Sequence, residues 1–167
     1  MSVVWRRTSV RTTLNLPTPP GAMNGRTTAQ WETGAVSQTD DQETTFFEEI
    51  GGMPVFERIV ARFYAGVAED DLLRPMYPEA DLADGSAARR LTLFMAQYWG
   101  GPTTYSQERG HPRLRMRHAP FAVTPQAREH WLGHFRDALD EVALTPEQDA
   151  KFWGYVTYAA QFLLNSE

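Results

Sequence analysis

An all-helical fold follows from three features of the sequence. Apolar residues recur at three- and four-residue spacing through four long segments, glycine and proline punctuate those segments, and no stretch shows the alternation of a half-buried strand. With 167 residues, 42% of them apolar and 12% aromatic, the chain can fill one sizeable core.

Residues 1 to 45 fall outside that pattern. They are rich in Thr, Ser, Gly, Pro, Asn and Gln, with Val3, Val4, Trp5 and Trp31 in no sustained period. So little apolar area cannot offset the entropy of ordering, and a disordered N-terminal extension is expected before a helical domain over residues 46 to 167. Arg6, Arg7, Arg11 and Arg26, with no acid in the first thirty residues, faintly resemble an organellar transit peptide, and a start at Met23 is a further alternative.

Each helix has its own signals. After Gly51 and Gly52, Pro54 opens a segment that puts Phe56, Val60, Phe63, Tyr64 and Val67 on one face, and Asp70 and Asp71 mark its end. The stretch from Leu72 to Pro78 is proline-limited to a turn or two. A second helix starts at Ser86, aligns Ala87, Leu91, Phe94 and Tyr98, and stops at Gly100-Gly101-Pro102. A long loop is expected from Thr103 to Gly110, then a short helix that Pro112 begins and Pro120 closes. Thr124-Pro125 caps a third long helix bearing Ala127, Trp131, Phe135, Ala138 and Val142. Thr145-Pro146, with Gln148 completing a capping box, opens a fourth bearing Phe152, Tyr155, Ala159, Phe162 and Leu163. Four such stripes must cover one another.

Composition removes several functions. A net charge of −5 and an isoelectric point near 5.4 lack the concentrated positive surface that nucleic acid requires. Without cysteine there is no disulfide, thiolate ligand or thiol nucleophile. No apolar run is long enough for a membrane span, and the first thirty residues lack the apolar stretch of a secretory signal, so a cytoplasmic protein is expected. Phosphate loops and nucleophile elbows are missing from the sequence.

Metal chemistry then rests on His, Asp, Glu or Tyr. In GHPRLRMRHAPF, His111 sits in a turn-like setting suited to capping, whereas His118 adjoins an apolar stretch and can turn its ring inward. His130 and His134 have the i, i+4 spacing of a zinc pair, yet lack the glutamate of the hydrolytic motif and read as a surface pair. Tyr64, Tyr77 and Trp131 are most simply core residues, unless something in the core accepts hydrogen bonds. Arg89, Arg90, Arg113, Arg115 and Arg117 are solvated individually; gathered round a cavity, they would neutralise an anionic cofactor.

Longer strings go further. FFEEIGG, FERIVARFYAGVAEDDLLRPMYPE, LFMAQYWGGP, TYSQERGHPRLRMRHAPF and the WL of the next helix resemble, across residues 46 to 167, the truncated haemoglobins of group II, of the actinobacterial type. The resemblance implies a globin-like fold, a truncated two-over-two helical sandwich around haem b (iron protoporphyrin IX). It makes His118 the iron ligand and assigns Tyr64, Tyr77 and Trp131 to the hydrogen-bonding side of the haem. Ala87 takes the position where many globins carry a distal histidine or glutamine, Leu91 and Phe94 become apolar walls, and Met116 lies beside the cofactor. Arg90 reaches a propionate, with Arg115 or Arg117 assisting. The segment from Ala80 to Ala88 is longer than usual for the family.

The implied ligands are dioxygen, carbon monoxide and nitric oxide, with peroxide as a further substrate; the implied class is oxygen binding or oxygen transport. Donors around the gas would slow its release, which favours storage, sensing or redox chemistry over bulk delivery. Peroxidase or nitric oxide dioxygenase turnover is the enzymatic alternative and would need an external electron-donor reductase. A homodimer is compatible with the resemblance, and a haem-free helical interaction module is the third reading.

Overall fold

The computed structural model describes residues 44–167, and these form helices joined by turns, with no strand among them. The extension expected to be disordered lies outside the described residues except for its last two.

A short α1 (Phe46–Glu49) begins where Thr45 and Glu48 close a capping box, each satisfying an otherwise orphaned backbone amide of the first turn. Gly51 and Gly52, at φ 107° and 68°, turn the chain into α2 (Met53–Glu69), which has Pro54 in its first turn. Of the stripe that the sequence periodicity predicts, Phe56, Val60, Phe63 and Val67 are buried and Tyr64 partly so, and Ile59 joins them. Asp70 caps α2, and a 3-10 turn (Arg74–Met76) carries the chain to Tyr77.

Next come α3 (Glu79–Ala83) and α4 (Ser86–Tyr98). The sequence offers no periodic signal for α3, which occupies the segment noted as longer than usual. Helix α4 starts at Ser86, as expected. Gly85 holds the cap position in left-handed conformation, and the Ser86 hydroxyl instead links Asp81 and Arg90.

The loop expected between Thr103 and Gly110 is mostly helix, α5 (Thr104–Arg109). Its warrant is tertiary. The Gln97 amide group accepts from the Ser106 N–H at 2.9 Å and donates to the Ser106 hydroxyl at 2.6 Å, while the buried Tyr105 ring packs edge-on against Phe94. The following helix, α6 (Leu114–His118), starts two residues after Pro112, because Arg113 adopts a left-handed conformation and donates its N–H to Nδ1 of His111.

Helices α7 (Pro125–Asp140) and α8 (Pro146–Phe162) start at Thr124 and Thr145, whose hydroxyls accept from the amides of Ala127 and Gln148. Two pairs, α2 with α4 and α7 with α8, join through the α2–α7 contact. Phe63, Phe135 and Phe152 lie fully buried in the core between them. This is the truncated two-over-two globin sandwich, and it leaves a cavity among α2, α4, α6, α7 and α8.

Candidate cofactor-binding site

The cavity has a volume of about 350 Å³, within the range of preformed small-molecule sites. His118, Tyr64, Tyr77, Trp131, Ala87, Leu91, Phe94 and Arg90 all line it, although they come from five separate stretches of chain. Arg115 and Met116, from the same set of expected site residues, do not. Met116 is 66% exposed, and the Arg115 guanidinium sits 5.3 Å over the Phe162 ring. The reason is geometric: in the five-residue α6, Leu114, Arg117 and His118 line the cavity and the two intervening side chains point elsewhere.

Helix α6 presents His118 in a defined tautomer. Its Nδ1 lies 2.7 Å from the Leu114 carbonyl, so the Nδ1 proton is donated there and Nε2 keeps a free lone pair. Asn165, which no sequence signal singles out, supports this segment by donating to the carbonyls of His118 and Phe121 and accepting from Val123 N–H. The competing histidine, His111, does what its turn setting suggests and caps.

Three hydrogen-bonding side chains meet on other walls. Tyr64 and Tyr77 pack edge to face with centroids 5.7 Å apart, and Trp131 lines the same cavity, near enough to Tyr77 to act on its pKa. Trp131 rests on Phe63 and Phe135 at 5.2 and 4.8 Å. Burial pushes the Tyr77 phenol up to about 12, against the opposing influence of the neighbouring Trp131 indole. Burial raises Tyr64 further, Tyr77 and Asp81 adding to the effect and Arg90 opposing it. Both phenols therefore remain protonated donors at neutral pH.

The cations are partly engaged. Arg90 donates to Ser86 at 2.9 Å and pairs with Asp81, while Arg117 donates to the carbonyls of Pro112 and Arg109. Arg109 and Arg128, not anticipated at the site, also line the cavity. Tyr155, expected only as part of a helix stripe, reaches it too, and its buried hydroxyl has no partner among the described residues.

His130 and His134 sit at the surface as expected, with His130 the more exposed, but they are not idle there. His130 is 43% exposed, yet its Nδ1 and the Nε2 of His134 both lie against Oδ2 of Asp70, at 2.9 and 2.7 Å. Sequence distance hid this, since Asp70 belongs to the end of α2 and both histidines to α7. No group of three or more metal-ligating side chains with ligand geometry occurs among the described residues.

One imidazole with a free nitrogen, an apolar enclosure and cations at its boundary define a helical protein that binds an anionic, metal-centred cofactor. The residue set fits haem. The family model for bacterial-like globins matches residues 45–165, and the chain belongs to that family. It is 38% identical over 114 residues to group 2 truncated hemoglobin YjbI of Bacillus subtilis, covering 68% of this chain and 84% of that one. Among solved structures, a thermostable hemoglobin from the actinobacterium Thermobifida fusca is 53% identical with a TM-score of 0.70, covering 72% of this chain and 97% of that one. The truncated oxygen-avid haemoglobin from Bacillus subtilis is 37% identical with a TM-score of 0.67, covering 72% and 99%. As a globin of this family, the protein has haem as its cofactor and binds oxygen.

Proposed function

We propose that the protein holds a diatomic gas, dioxygen first, and releases it slowly, with His118 as the iron ligand and Tyr77, Trp131 and Tyr64 as hydrogen-bond partners of the gas. The observation that carries this reading is the single cavity shared by a tautomer-fixed imidazole, two protonated phenols and an indole. When bound, haem supplies a ferrous iron with one position open to a small gas. The Leu114 carbonyl fixes the His118 ring and raises its basicity as a ligand. Leu91 and Phe94 exclude water, and Ala87 supplies no polar group, so polar contact falls to the phenols and the indole. Arg90 and Arg117, joined by Arg109 and Arg128, line the cavity and would hold the propionates. Each donor to the gas slows its loss by about tenfold, taking about 1–1.5 kcal/mol per net hydrogen bond. Slow release suits storage, sensing or redox use better than bulk transport, and carbon monoxide and nitric oxide would occupy the same position.

The test is the absorption spectrum of ferric, ferrous and carbonyl forms beside those of His118→Ala. A strong Soret band lost or radically altered in the variant supports the ligand assignment; the same spectrum in both proteins overturns it. A second reading, peroxide or nitric oxide turnover with an external reductase, is favoured by the oxidisable rings that lead away from the cavity. Tyr155 stacks on Tyr98 with centroids 3.8 Å apart. Steady-state rates no higher than those of free haem would remove it.

A further inference from the structure

We propose that Asp70, gripped by His130 and His134, is a positioning residue that aligns the Tyr77–Trp131 pair on the cavity wall, an inference that rests on the reading that these two side chains meet the bound gas.

The Asp70 side chain is 8% exposed, and each of its oxygens takes two donors. Oδ1 accepts from the N–H groups of Leu72 and Leu73, both at 2.9 Å. Oδ2 accepts from His134 Nε2 at 2.7 Å and His130 Nδ1 at 2.9 Å. A carboxylate offers about four lone-pair sites, and here all are filled.

The two oxygens serve different walls. On the Oδ1 side the turn continues as a chain of backbone bonds, Arg74 N–H to the Asp70 carbonyl at 2.9 Å and Tyr77 N–H to the Arg74 carbonyl at 3.1 Å, which sets where Tyr77 emerges. On the Oδ2 side the two rings belong to α7 at the positions just before Trp131 and three after it, so they set the rotation and height of the indole. One carboxylate thus ties the support of the phenol to the support of its indole partner. Gly66 makes room for the arrangement: a Cβ there would lie 2.9 Å from Cγ of His134 and closer still to Nδ1. Charge-assisted bonds of this kind suit a geometric role because they are short and directional.

A carboxylate that only fastened α2 to α7 would affect stability and leave the ligand environment alone. The deciding variant is His130→Leu/His134→Leu, which removes the α7 connection but keeps the Asp70 bonds to Leu72 and Leu73. The readouts on the haem-loaded protein are the C–O stretching band of the ferrous carbonyl form, the dioxygen dissociation rate and the Trp131 indole N–H resonance. The proposal expects a broadened or split C–O band, dissociation faster by about tenfold, the loss of roughly one hydrogen bond, and an upfield indole shift. His134→Gln, which keeps a donor at similar reach, should restore all three to near the wild-type values. Should the double variant not fold, His130→Leu alters a half-exposed ring and should accelerate dissociation by about two- to threefold.

Wild-type band, rate and resonance in a folded His130/His134 variant, with Tyr77→Phe changing all of them, would overturn the positioning role and leave the gas-contact reading standing. If Tyr77→Phe and Trp131→Phe both leave band and rate unchanged, the gas-contact reading falls and takes the positioning role with it.

Discussion

Asp70 shows how one residue can set a pH limit. Burial alone would raise its carboxyl pKa, but the Leu73 amide, the rings of His134 and His130 and the Leu72 amide together hold it well below the ordinary 3.8. A depressed folded pKa contributes stability that is present above the unfolded value and is lost as pH falls through the folded one. Asp70→Asn should therefore lower stability by about 2 kcal/mol at pH 7, and the gap should narrow progressively as pH falls from 3.8 towards the much lower folded value, as urea midpoints from pH 7 to pH 2 would show. An unchanged gap would mean that the carboxylate charge contributes nothing. That His118 and not His111 lines the cavity was foreshadowed weakly by its apolar flank and more strongly by the family-like strings around it. The Asp70 cluster was not legible, because its partners lie 60 and 64 positions away and no local pattern marks them.

Among elements, those that declare themselves by caps and periodicity were the ones that sequence located. Thr124 and Thr145 stand where hydroxyl caps were expected, and both accept from the third residue along. Thr145→Ala should cost about 1 kcal/mol, read as a melting temperature lower by about 3–6 °C, with little change in ligand binding because the cap lies at the far end of α8 from the cavity residues Ala159, Ala160 and Leu163. The short elements were not legible. Helix α5 exists because Gln97 and Phe94 of α4 hold Ser106 and Tyr105, contacts that only the folded chain supplies. The start of α6 was displaced for a similar reason, since a histidine side chain replaces the proline signal as the local constraint. Over so short a helix, phase decides which side chains face the cavity, and Arg115 and Met116, which the family resemblance placed at the site, lie outside it.

At the scale of the whole molecule, packing of α2 against α7 does two jobs: it closes the aromatic core around Phe63 and Phe135, and it brings the end of one helix to the face of the other. The approach is close enough that Gly66 and His134 cannot both carry bulk. Substituting Gly66→Ala should destabilise the protein by about 1–3 kcal/mol through overpacking, and much of that loss should vanish when His134 is also Ala. A double-mutant cycle in urea would measure the coupling, and additive losses would show that the ring simply moves aside. Across a lineage the same exclusion acts as a rule of inheritance. A chain that gains a side chain at position 66 must first surrender the imidazole at position 134, so relatives should fall into two groups, glycine with histidine or a larger residue with a smaller one, and seldom mix them.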